Sequence, residues 1–350
     1  MRWGLLLGVL ILVAAASMYQ GSARIILEVS CTDPNGCFQQ IHQAIETATA
    51  GTTIRIGPGT YYEKPLIIDK NLVLQGAGAN FTQIHAVDPG PAITVRGSQA
   101  LDVTLQGLNI VTPHVWELTD LDKESMGIQW VQQDNERAQN KHVILIKESI
   151  ISSRIGIQIH ASQGSITIEQ SKIISGTGIL VDPSGEINVT VENNSFLGPL
   201  KSDSSVFVIG LLVGPAIGVS THPISNANGS SPSKVRISLR KNEITDWLFG
   251  VSTIGAGMKI EVLLEENTIS FNKEAAIALA GNTDIEMNRN KIQTNDYGVK
   301  LFLAPCVPIK SQEVTAFKGA VKGKDNEIQS NKKANLCPGD YPWPPGFANP

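Results

Sequence analysis

Between Val143 and Leu301 one short phrase is written repeatedly with small edits. It begins with two or three apolar residues at alternate positions, followed by Asn or Ser, one residue, and Ile or Phe. After a gap comes Gly-Ile-x-Ile or a near variant. One copy reads Ile144, Ile146, Ser149, Ile151, Gly156-Ile157-Gln158-Ile159; a late one reads Ile285, Met287, Asn290, Ile292, Gly298-Val299-Lys300-Leu301. Measured at the Asn/Ser position the steps are 22 (149 to 171), 23 (171 to 194), 48 (194 to 242), 25 (242 to 267) and 23 (267 to 290). Repetition near 23 residues is the signature of a solenoid, because each unit is too small to bury its own apolar face.

The period inside each copy is two, so the units are strands with one buried face, and helical repeats are excluded. Short strands that return after one coil must pair with the same strand of the next coil, which describes a parallel β-helix filled by stacked Val and Ile. At 194, 242, 267 and 290 an inward asparagine ladder is expected. Asn tolerates the left-handed backbone of a sharp corner, and its amide can bond the Asn one coil away.

The repeats resemble the right-handed parallel β-helix superfamily that includes pectin lyases, polygalacturonases and pectin methylesterases, together with many bacterial proteins without known activity. Ile41-His42-Gln43-Ala44-Ile45, Gly51-Thr52-Thr53-Ile54-Arg55-Ile56, Pro58-Gly59-Thr60-Tyr61 and Leu72-Val73-Leu74-Gln75-Gly76 are similar to the entry segment of many members. The resemblance implies an all-β, right-handed parallel β-helix solenoid over nearly all of the chain. For function it implies little, since one fold carries many chemistries.

Residues 1–23 read as an export signal: Arg2, an apolar run from Trp3 to Ala16, then Gly21, Ser22 and Ala23. That run is short for a spanning helix, and no membrane span is expected after cleavage. Residues 24–350 form one domain, with an N-terminal cap at 24–50, coils at 51–331 and a C-terminal cap at 332–350. In an exported chain, two disulfides are expected, Cys31 to Cys37 and Cys306 to Cys337, one of three possible connectivities. Phe38, Ile41, Ala44, Ile45 and Ala48 share one helical face and mark a helix that covers the open end. The Pro-rich tail places Tyr341, Trp343 and Phe347 over the other end.

Insertions interrupt the coils at 111–126, 131–142, 197–205, 214–234 and 302–323, at the same two corners, so that they flank one groove. The first holds Trp116, Asp120, Asp122 and Glu124, the candidate binding residues. Three alternating acids suit calcium, but the Gly and terminal Glu of an EF-hand loop are missing, and a solvated acidic loop is the favoured reading. No cofactor is expected beyond that alternative. Trp116, Trp130 and Trp247 are the tryptophans near loops; Trp130 takes the place of an inward Ile, so core packing is its expected role.

Chemistry has to come from outward positions. Gln129, Gln158, Leu180, Leu212, Ser252 and Lys300 line one face, with no acid. Another row reads Lys147, Glu169, Glu192, Arg240, Glu265, Asn288. Glu169 and Glu192 one strand spacing apart, beside Arg240, are the candidate catalytic set, since a retaining glycosidase needs two carboxyls near 5 Å. The same row also reads as an ion ladder on a solvated face, the favoured account. Family motifs are incomplete: Asn282-Thr283-Asp284 lacks its polygalacturonase partners, and Asp246-Trp247-Leu248-Phe249-Gly250 lacks those of a pectin methylesterase, leaving Asp246 as a turn residue.

A formal charge of −4 with no basic stripe excludes general nucleic-acid binding. Six scattered His and five Met argue against a metal site. Sequons stand at Asn80, Asn188, Asn193 and Asn228. The sequence therefore supports an exported, monomeric, non-catalytic β-helix that binds or scaffolds at the cell surface, with polysaccharide as partner. The alternative is a polysaccharide lyase or glycoside hydrolase with an unfamiliar site.

Overall fold

The computed structural model describes residues 25–29, 38–113, 125–132, 140–198, 209–213, 234–307 and 316–347, with only the backbone of 209–213 and 256–257. Every strand pairing among them is parallel, and each coil contributes three strands to three faces. The first face carries, in successive coils, Leu72–Gly76, Asp102–Gln106, His142–Lys147, Gln163–Glu169, Glu186–Glu192 and Lys234–Arg240. The second face carries the Asn-x-Ile segments, such as Ser195–Leu197 and Glu243–Thr245, and the third the Gly-Ile-x-Ile segments, such as Met126–Val131. The chain is a parallel β-helix.

Alternation puts every second side chain inside, where each stacks on its like. Leu74, Leu105, Ile146, Ile168, Val191, Leu239, Leu264 and Met287 form one rung-to-rung row, all buried. Truncating any of them to Ala would cost about 2–5 kcal/mol. The recurring Gly of the third strand has a steric reason: a Cβ on Gly156 would meet the Gly178 carbonyl and Ile173. Trp130 is fully buried, its indole donating to His142 Nδ1 at 3.1 Å. Trp247 is also fully buried, so neither offers a ring to solvent.

The asparagine ladder is present and longer than expected. Asn194, Asn242, Asn267 and Asn290 each donate their backbone N–H to the next Oδ1 at 2.9–3.0 Å, ending on Asn326. Ser149 and Ser171 continue it upstream. The backbone reading, however, needs correcting. The left-handed residue is the one before each ladder position, namely Glu148, Gln170, Asn193, Lys241, Glu266, Arg289 and Asp325, with φ between 51° and 57°. The corner turns on an outward residue, and the Asn that follows is free to point inward. A second ladder, not expected from sequence, runs Asn272, Asn295, Asn331, Asn335 at the next corner, and Asp246 is a left-handed turn residue preceding it in the coil above.

Strands extend past both coil boundaries read from sequence. Ile26–Val29 pairs with Thr53–Ile56 at one end, and Ala334–Cys337 with the Tyr297–Leu301 strand at the other. The capping helix α1 spans Ile41–Thr47; Phe38 instead bridges Val29, which shortens the helix. First-coil side chains hold both its ends. Buried Glu63 accepts from Ile41 N–H and from His42 Nδ1, and Lys70 donates to the carbonyls of Ile45 and Ala48. That places a carboxylate at the positive end of the helix and an ammonium at its negative end. At the C-terminal end the Cys306–Cys337 disulfide anchors a tail in which Tyr341, Trp343 and Phe347 pack against the core. Cys31 and Cys37, like Trp116, Asp120, Asp122 and Glu124, lie outside the described residues.

Candidate functional site

On the first face, Glu169 and Glu192 stand in register, with Lys147 before and Arg240 after them. One strand spacing matches the separation a retaining pair requires. The surroundings are those of an ion ladder. Arg240 reaches Glu192 at 4.0 Å and Glu265 at 3.5 Å, and Arg289 contacts Glu265 and Glu266. A parallel network joins Glu186, Arg236, Glu261 and Lys234, and Lys259 pairs with Asp284 at 2.6 Å. Hydrogen bonds from Lys234, Arg289 and Lys259 hold the carboxyls of Glu261, Glu266 and Asp284 below their ordinary range. A general acid needs the opposite displacement, toward neutral pH. The Asp284 of the polygalacturonase-like triplet is thus committed to a lysine, and its neighbour Thr283 is buried.

In sequence the insertions adjoin strands of the third face. Those at 111–126 and 197–205 precede its strands Met126–Val131 and Ile209–Val213, while those at 131–142, 214–234 and 302–323 follow its strands. Its central row runs Gln129, Gln158, Leu180, Leu212, Ser252, Ala278, Lys300. Gln129 donates to Gln158 at 2.8 Å, Leu180, Ser252 and Ala278 are buried, and Lys300 lies 4.9 Å from the Tyr297 ring centroid and 3.6 Å from Glu274. This row carries no carboxylate, as the repeat predicts.

Between the first and second faces runs an open groove of about 680 Å³. Its wall is built from the left-handed corner residues Glu148, Gln170, Asn193 and Lys241, stacked coil on coil through backbone bonds such as Gln170 N–H to Glu192 O. Lys172, Ser195 and Glu243 of the second face and the Gly78–Asn80 turn complete the lining. The two carboxylates and two ammoniums balance. Glu148 and Glu243 are three coils apart, roughly 14 Å at the usual strand spacing. Both glycosidase geometries need about 5 to 9.5 Å. Sequence reasoning passed over these residues, although a polar residue directly before each ladder position was visible in every copy.

Among the described residues no cluster of three or more His, Cys, Asp or Glu side chains suits a metal, and no helix is long and apolar enough to cross a membrane. No protein-family model matches the sequence, and no curated protein matches it. Among solved structures the chain is similar to a pectin methylesterase from Erwinia chrysanthemi, at 14% identity over 89% of this chain and 93% of that one, with a TM-score of 0.43. It is also similar to the A-module of a mannuronan C-5 epimerase from Azotobacter vinelandii, at 13% identity over 87% and 90%, TM-score 0.39. The catalytic unit of an α-1,3-glucanase from Streptomyces thermodiastaticus gives 14% identity over 88% and 70%, TM-score 0.33. Likenesses this distant add nothing to the coil geometry above.

Proposed function

We propose that the chain is an exported, non-catalytic polysaccharide-binding β-helix, and that the corner groove is its binding surface. The observation that supports this is the groove's lining: amides of Asn80, Gln170 and Asn193 and the hydroxyl of Ser195, with carboxylates too far apart to act as a pair. Amides and hydroxyls offer donors and acceptors to sugar hydroxyls without requiring a charged ligand. Repetition by coil gives a linear ligand one polar corner residue at each coil spacing. Export follows from the reading of residues 1–23 as a signal.

The test is retention of the purified chain in gels containing soluble neutral or acidic polysaccharides, with reducing and unsaturated ends measured in parallel. Asn80 and Asn193 lie in sequons and line the groove, so the protein should come from a host that attaches no N-linked glycans. Retention without new ends is expected, and Gln170→Ala with Asn193→Ala should weaken it roughly tenfold. Product formation lost in Glu169→Gln or Glu192→Gln would establish the enzymatic alternative instead.

A further inference from the structure

The second face carries a feature that the groove does not use. In its first strand, Gly59–Glu63, Tyr61 points inward, 3% exposed, with its hydroxyl donating to the Gly57 carbonyl at 3.0 Å. Tyr62, the next residue, points outward and is 68% exposed. One coil on, His85 stands beside it in register, with ring centroids 5.5 Å apart and planes at 45°. Gln83 Oε1 lies 3.4 Å from His85 Nε2 and orients the imidazole. Phe81 and Val87, at either end of the Thr82–Ala86 strand, are 62% and 49% exposed. Exposed apolar side chains grouped within two coils and rimmed by polar groups mark an interaction site more often than chance exposure does.

We propose that Tyr62 and His85 form a stacking subsite for the faces of neutral sugar units, at the N-terminal end of the groove-bearing face. This rests on the polysaccharide-binding reading and names its ligand class. An aromatic ring presents a flat apolar face with a polar tip, which suits a sugar ring that has an apolar C–H face and a hydroxylated edge. The outward residues of the three strands Gly59–Glu63, Thr82–Ala86 and Asn109–Val111 are Thr60, Tyr62, Gln83, His85, Asn109 and Val111. None is Asp, Glu, Lys or Arg. In the Thr60–Gln83–Asn109 row, Thr60 and Gln83 supply a hydroxyl and an amide beside the rings, and the row leads by Asn80 into the groove, whose charges cancel. A polyuronate would meet no cationic row along this path, whereas a neutral chain loses nothing there.

The deciding experiment measures dissociation constants of the full chain for soluble neutral glucans, xylan and mannan, and for polygalacturonate and alginate. Tyr62→Ala should weaken neutral-polysaccharide binding roughly tenfold and His85→Ala by a few fold, the size of an aromatic anchor at an interface. Tyr62→Phe should retain binding, and Phe271→Ala, exposed at another corner, should not change it. Because Tyr62 is outward, Tyr62→Ala should melt as the wild type does. If wild type binds and loses affinity in the Gln170/Asn193 double variant but not in Tyr62→Ala or His85→Ala, the subsite is wrong and the groove reading stands. A preference for polygalacturonate or alginate over neutral chains would also overturn it. Absence of binding to every polysaccharide overturns both.

Discussion

The molecule carries two stacked polar ladders one face apart: asparagines inside the first corner, and glutamates with arginines outside the first face. Both repeat coil by coil with the strand register, yet they differ in what surrounds them. Asn267 is 1% exposed. Its amide accepts from Asn242 N–H and Nδ2 and donates to the Leu239 carbonyl and Asn290. Arg240 reaches Glu192 and Glu265 across a surface where 45% of its own side chain is in solvent. Away from water an unmet donor or acceptor costs about 1–3 kcal/mol, while an exposed ion pair contributes about 0–1 kcal/mol. Periodicity alone therefore does not tell a structural ladder from an incidental one; burial does.

The sharpest way to break the comparison is inside. Asn267→Ala leaves the buried Asn242 N–H without its acceptor, removes the amide donor to the Leu239 carbonyl and opens a small void, so unfolding free energy in urea should fall by about 3 kcal/mol. A loss below about 1 kcal/mol would place the buried ladder on the same footing as the surface one.

That difference also explains what could be read from the chain alone. Inward positions must be both apolar and periodic, so the coil, its register and the Asn194–Asn290 ladder are visible in the order of residues. The second ladder was also written there, as an Asn five residues after the first in 267/272, 290/295 and 326/331, but Trp247 occupies its place in the coil above and hides the start. Outward positions obey no such rule. Glu148, Gln170, Asn193 and Lys241 share only polarity and a left-handed backbone, neither of which announces a groove. Tyr62 was hidden beside Tyr61, since two adjacent tyrosines do not reveal which one faces out.

Acid should separate the ladders next. Lys234 and Lys259 hold the Glu261 and Asp284 carboxyls below their ordinary range, so these pairs contribute stability that is present above the unfolded-state values and lost as pH falls through the lowered ones. Both carboxylates are well exposed, and solvent screening keeps each contribution below about 1 kcal/mol. Urea melts between pH 7 and pH 3 should show an acid slope that flattens in Lys234→Ala with Lys259→Ala. Asn267→Ala should lower the whole curve without changing that slope, because no proton is bound or released at an amide. An equal slope in wild type and the double lysine variant would mean that other carboxyls govern the acid limb.

The smallest expected effect is the most discriminating for the catalytic alternative. Glu169 and Glu192 are like charges facing each other across one strand spacing, an arrangement that costs a few tenths of a kcal/mol when both are ionised. Glu192 has Arg240 at 4.0 Å, and among the described residues Glu169 stands between its register neighbours Lys147 and Glu192 with no ion pair. Glu169→Gln keeps the shape and removes one charge, so it should leave stability unchanged or raise it by up to about 0.5 kcal/mol, with polysaccharide retention as in wild type. Two carboxylates held together for chemistry behave differently: neutralising one abolishes turnover, and the stability gained reflects the electrostatic strain that the site maintains for function. A larger gain together with lost product would therefore move Glu169 and Glu192 out of the solvated ladder and into an active site.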